Sequence, residues 1–190
     1  MPRTLVPLLI CIATLQFVSV PAGGQIAAHE SDHDKLQRAL EQSAVDLIGM
    51  LEKGEPAALL DIMSKRGVVF GLEPPPIQWD EVRRQFAQKR GTYCLLFDSE
   101  CARKEDAAAR KKAGAPDRKE PLYSYREMFR LFQKRSMRVS VSGSPRGWAG
   151  QVTLTFLPMA ENESEGQPEP INFLFAYERG QWKLTAIVYT

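Results

Sequence analysis

The sequence predicts an α+β fold, with N-terminal helices packed on a curved antiparallel sheet that ends in a C-terminal meander. Two observations carry this. Apolar residues recur at helical spacing through the first two thirds of the chain, and from Met137 onward they alternate with polar ones. A period near 3.6 buries one face of a helix, and a period of two buries one face of a strand.

The first 22 residues stand apart from that domain. Met1-Pro2-Arg3 is a positive start, Leu5 to Val20 an apolar run of 16 residues, and Val20-Pro21-Ala22-Gly23-Gly24 a small-residue exit. This is the layout of a secretory signal peptide, with the cut expected after Ala22. The run falls short of the ~20 apolar residues that span a bilayer and contains Pro7 and Gln16. The expected mature chain is secreted or periplasmic, with no membrane contact after cleavage. Residues 23–33 read as a flexible tail and 34–190 as one domain, long enough for a sizeable core. Cleavage removes Arg3 and no acidic residue, so the formal charge falls from +2 to +1. Such a balance gives no electrostatic case for nucleic acid or for acidic membranes.

The elements follow in order. Ser31 caps a helix on which Leu36, Leu40, Ala44, Leu47, Ile48 and Leu51 share a face, and Gly54 ends it;. Pro56 opens a second helix, where a missing N–H costs nothing, and Gly67 stops it;. Val68-Val69-Phe70 is a short strand, and Pro74-Pro75-Pro76 holds the chain extended;. Asp80 caps a third helix carrying Val82 and Phe86, ended by Gly91. Tyr93 to Phe97 reads as a buried strand. The stretch near 99–119 is charged, Ala-rich and without an apolar stripe, a solvated helix or a mobile insertion;. Ser124-Tyr125-Arg126-Glu127 is a capping box for a helix with Met128, Phe129 and Phe132 on one side;. Four strands then alternate through Val139 and Val141, Val152 to Phe156, Ile171 to Tyr177, and Trp182 to Val188;.

Cys11 leaves with the signal, so Cys94 and Cys101 remain. In an oxidising compartment two nearby cysteines are expected to form a disulfide. They do not read as a metal site, because two cysteines without neighbouring histidines do not complete a tetrahedral zinc centre. No cofactor is implied.

One string looks like chemistry. His29-Glu30-Ser31-Asp32-His33 matches the H-E-x-x-H pattern of zinc proteases, with Glu52 as a conceivable third ligand;. Its context rejects it. Nothing ahead of it in the mature chain forms a cleft wall, and Ser31 and Asp32 belong to a helix cap rather than a helix interior. These are the only histidines, which removes the usual general base;. Asp98, Glu100 and Glu127 remain as carboxylates for acid–base work, with ordinary surface roles the simpler reading. Asn162-Glu163-Ser164 is an N-glycosylation string in a polar loop;.

The order helix, helix, short strand, helices and meander, closing on Gly180-Gln181-Trp182-Lys183-Leu184-Thr185-Ala186-Ile187, resembles the nuclear-transport-factor-two-like superfamily, or cystatin-like cone fold. The resemblance covers about Asp34 to Thr190. The charged insertion and the cysteine pair depart from it. It implies a pocket between helices and sheet, which hosts isomerases and dehydratases in some members and binds ligands or partners in others. The His–Asp pair common in those enzymes has no counterpart here, since no histidine follows His33. Trp148, Phe156, Phe175, Tyr177 and Trp182 are the candidates to line such a pocket, with core packing as the plainer role. The functional expectation is an exported, non-catalytic domain binding a small apolar ligand or a protein partner. Its alternative is a pocket isomerase or hydrolase using carboxylates.

Overall fold

A computed structural model describes residues 31–71, 75–118, 122–144, 147–157 and 168–189. The signal segment, His29, Glu30 and the glycosylation string lie outside the described residues. So does Pro74.

Helix α1 (Asp32–Lys53) starts where its cap predicts, with the Ser31 hydroxyl accepting the Asp34 N–H at 3.1 Å. It ends on Gly54, whose φ of 75° is the left-handed conformation that glycine adopts without penalty;. Helix α2 (Pro56–Ile62) stops at Met63, earlier than Gly67, because Met63 turns extended and Ser64 N–H bonds to Leu184 O. β1 (Val69–Phe70) follows. Helix α3 (Trp79–Ala87) is capped by Gln78, and Asp80 sits in its first turn, where the helix dipole favours an acid;.

The strand expected at Tyr93–Phe97 is instead helix α4 (Thr92–Phe97). A short apolar run does not distinguish the two by period. Tertiary contacts decide it: Tyr93 and Phe97, one helical turn apart, both stack on Phe86 of α3. Helix α5 (Ser99–Ala113) takes most of the charged stretch and buries only Ser99 and Ala102 of its own length. Helix α6 (Tyr125–Leu131) carries the aromatic face.

β2 (Arg135–Ser144), β3 (Gly147–Phe156), β4 (Ile171–Glu178) and β5 (Gln181–Tyr189) form the antiparallel meander. β1 joins it in parallel beside β5, so the order is β1-β5-β4-β3-β2. The register shifts at Leu174/Phe175, and a bulge of this kind bends a strand and adds twist;.

Helices α1 and α6 cover one face of this sheet. Phe129 of α6 packs on Phe156 and Phe173, and Leu40 of α1 reaches Gly150 and Trp182. A Cβ at Gly150 would run into the Leu40 methyls, so the glycine leaves room for α1 to sit on the sheet. On β2 the opposite face shows Ser136, Arg138, Ser140 and Ser142 to solvent. Each fully buried Phe or Leu contributes about 1.5–3 kcal/mol relative to exposure. The aromatic cluster is therefore what holds helices to sheet.

Candidate functional site

Polar groups gather beside the start of α5. Asp98 ends α4 and caps α5, its carboxylate accepting the Cys101 N–H at 3.0 Å. Ser124 caps α6, its hydroxyl accepting the Glu127 N–H at 3.3 Å. The two starts are tied together. The buried Ser99 hydroxyl accepts the Ser124 N–H at 2.7 Å and donates to Ser124 Oγ at 3.0 Å.

That tie changes the expected capping box. In a complete box the carboxylate of Glu127 would accept the Ser124 N–H. Here Ser99 takes that proton donor, so only half of the box forms. The Glu127 carboxylate has no hydrogen bond or ion pair with any described residue.

Phe97, Ser99 and Ser124 are buried beneath a cleft of about 450 Å³. Asp98, Glu100 and Glu127 border it together with Arg103, Arg126 and Arg130, so its fixed charges balance. Each arginine is anchored by one donor to a backbone carbonyl. Arg103 Nη1 donates to Leu122 O, Arg126 Nη2 to Lys53 O at 3.3 Å and Arg130 Nε to Glu52 O at 3.2 Å. The last two bring cations to the carbonyl end of α1, where the dipole favours them. Arg126 lies flat against Gly54, whose added Cβ would stand 2.7 Å from the guanidinium carbon. Its Nε is buried without a hydrogen-bond partner. Holding one edge of a guanidinium leaves the other donors in a fixed plane, suited to a carboxylate.

The acids differ from one another. Lys104 donates to Glu100 at 2.6 Å, and that hydrogen bond with its charge holds the Glu100 carboxyl below the usual value. Of the three, only Glu127 has a carboxylate with no hydrogen bond or ion pair to a described residue. The cleft thus offers a carboxylate acceptor and oriented guanidinium donors side by side. Sequence reading singled out the three acids but missed Ser99 and the arginines. The spacing held a signal: Arg126 and Arg130 lie four apart on one face of α6, and Ser99 and Arg103 four apart on α5;.

The five aromatic candidates lie elsewhere, and none borders this cleft. Phe156, Phe175 and Trp182 are buried in the core, with Trp182 Nε1 donating to Leu36 O at 3.1 Å. Tyr177 meets Trp182 edge-on and is half-buried. Trp148, also half-buried, packs against Gly143 and the edge of His33.

His33 Nε2 lies 3.3 Å from Val141 O, so the described half of the H-E-x-x-H string ties α1 to β2. Glu52 is no third ligand. Nineteen residues of helix put it about 28 Å along the axis, where it pairs with Arg135. Cys94 and Cys101 are joined by a disulfide linking α4 to α5. The Glu105 carboxylate lies close to both sulfurs but accepts the Gly91 N–H at 2.9 Å. With the sulfurs bonded to each other, no thiolate is present to bind a metal.

No protein-family model matches the chain, and no curated protein does. Several solved structures are similar to it. One is a design of the NTF2-like fold, 12% identical, covering 80% of this chain and 98% of its own at a TM-score of 0.39. Another is a protein of unknown function with a cystatin-like fold from Nostoc punctiforme, 13% identical, covering 84% and 91% at 0.40. A third, from Xanthomonas campestris, is described as a calcium/calmodulin-dependent protein kinase II association domain, 9% identical, covering 85% and 89% at 0.38. Among the described residues no helix is long and apolar enough to cross a membrane.

Proposed function

We propose that the protein is an exported, non-catalytic binding domain, and that its binding site is the charged cleft between α5 and α6. The observation that carries this is the Glu127 carboxylate, left without a partner among the described residues because Ser99 has taken its capping role. A charged group kept beside three anchored arginines, yet bonded to none of them, is available to an incoming ligand. The occupant is a polar segment of a protein partner or a small polar molecule. An apolar ligand on the sheet is the weaker reading, because Phe156, Phe175 and Trp182 are already consumed by packing.

The test is native mass spectrometry of protein recovered from an exported fraction, wild type beside Glu127→Lys. The expected result is an adduct or partner retained by the wild type and lost by the variant, on a chain that begins after Ala22. A wild type that is bare, or an adduct that the variant keeps, overturns the cleft as the site.

A second reading has one observation behind it: Asp98, Glu100 and Glu127 do share a cleft, as carboxylate catalysis needs;. A general acid at neutral pH requires a raised carboxyl, however, and Lys104 pushes Glu100 the other way;.

A further inference from the structure

We infer that the cleft takes a zwitterion of amino-acid to dipeptide size, its ammonium group on Glu127 and its carboxylate on the guanidinium donors of Arg103 and Arg130. This rests on the cleft being the binding site, and adds the chemistry of its ligand.

Three observations lead to it. The first is sign. Three carboxylates and three guanidinium groups border one cleft, so a ligand of a single charge meets repulsion as well as attraction. A phosphate or other polyanion faces Asp98, Glu100 and Glu127; a polyamine faces Arg103, Arg126 and Arg130. A molecule with both charges can meet an acid and an arginine of the same cleft at once.

The second is commitment. Glu100 is occupied by Lys104, and the Asp98 carboxylate by the Cys101 N–H. Arg126 has a single contact, to Lys53 O, but its guanidinium is packed against Gly54. That leaves Glu127 as the one acid of the three whose carboxylate has no hydrogen bond or ion pair with a described residue. Arg103 and Arg130 are each fixed by a single backbone contact, with donors to spare. An ammonium group donates three hydrogen bonds and suits a lone carboxylate, whereas a carboxylate suits the guanidinium fork.

The third is size. A cleft of about 450 Å³ lies at the small end of the range that pockets for small molecules occupy;. It is large enough for two residues. The buried Ser99–Ser124 tie sets its floor, so ligand and floor do not compete for the same donors.

The experiment is a titration of the isotope-labelled, disulfide-bonded mature protein, followed by amide NMR shifts, with three probes. Alanyl-alanine carries both charges, its N-acetyl form only the carboxylate, and its C-terminal amide only the ammonium. The expected result is that alanyl-alanine shifts the amides of Ser99, Glu100 and Glu127, and that each capped form binds at least tenfold more weakly. Glu127→Gln should weaken alanyl-alanine about tenfold and leave the N-acetyl form unchanged; Arg103→Gln should likewise weaken alanyl-alanine and leave the amide form unchanged. Arg103 is exposed and Glu127 half-buried, and circular dichroism checks that each variant folds.

Capped and uncapped forms binding the cleft equally would overturn the zwitterion while leaving the cleft as the site. No shift at the cleft with any probe, beside an adduct that still depends on Glu127, also overturns the zwitterion alone. No shift, with an adduct indifferent to Glu127, removes both.

Discussion

The sheet side of this molecule and its α4–α5 side are built from opposite materials. Under α1 and α6 the sheet closes on Phe129, Phe156, Phe173 and Phe175, all buried, in the mutual contacts of one cluster. Helix α5 instead presents Glu100, Arg103, Lys104, Glu105 and Lys111 to water, and is held by a disulfide, a capping acid, two serines and the backbone contacts of Arg103 and Glu105. The difference separates stability from availability. Side chains that hold the core have no capacity left for a ligand, while a helix held by a few polar links leaves charged groups free beside it.

The largest expected effect breaks that comparison if it is wrong. Phe173 is fully buried on β4. Phe173→Ala should lower stability by about 3–5 kcal/mol, from lost burial plus the cavity left behind, seen as a shifted midpoint in urea unfolding. A cost below about 1 kcal/mol, within the range of a surface substitution, would mean that the sheet side is not the closed core described here.

Next comes the bridge across the polar side. Replacing Cys94 and Cys101 by serine should cost about 2–3 kcal/mol in the loop-closure account. Hydrogen exchange sharpens the contrast. Protection should fall in α4 and α5 while the β3 and β4 amides keep theirs, since few other contacts hold α5 down. Equal loss across the sheet would show that the two sides unfold as one unit.

What could be read from the chain divides along the same line. The sheet and α1 were legible because Leu40, Leu47 and Val152, Leu154, Phe156 obey a period that burial itself imposes. Ser31 and Gly54 marked the ends of α1 because caps obey local chemistry. Tyr93 to Phe97 was misread because five apolar residues fit both periods, and contact with Phe86 made the choice. The cleft was legible only in part. Its three acids stood out as titratable groups, but no local rule could reveal that Ser99 reaches Ser124 across 25 positions and displaces Glu127. The aromatic pocket candidates rest on being apolar groups of the sheet, and that alone does not distinguish an open apolar wall from a filled one.

That displacement predicts a coupling. In the wild type, Glu127→Ala removes no side-chain hydrogen bond to a described residue and should be close to neutral. Ser99→Ala leaves the Ser124 N–H without its acceptor, a loss of about 1–3 kcal/mol if nothing replaces it. Glu127 is placed to replace it by completing the box, so the observed cost should fall at the low end. The double variant should then cost more than the two single costs together, by about 0.5–1 kcal/mol, a coupling measurable in a double-mutant cycle. Strict additivity would mean that Glu127 does not turn back, and that its carboxylate is held in the cleft by something else.

The smallest effect is the pH response of the Glu100–Lys104 pair. Lys104 lowers the Glu100 carboxyl, and Glu100 in turn raises the Lys104 ammonium. A lowered carboxyl contributes stability above its unfolded-state value and loses it as pH falls through the folded one. A raised ammonium contributes below its unfolded value and loses it as pH rises through the folded one. The pair therefore acts between the ordinary carboxylate and lysine ranges, and fades on both sides. Both groups are solvent-exposed, so ions screen the attraction. Unfolding curves of wild type and Glu100→Gln should differ only slightly near neutral pH and merge in acid and in about 1 M salt, where the screening length is some 3 Å. The loss in Phe173→Ala should persist through both changes, because apolar burial carries no charge to titrate or screen. A Glu100 effect that survived high salt would place that carboxylate in a drier setting than its exposure allows, and would move it from the outer wall of the cleft to its working interior.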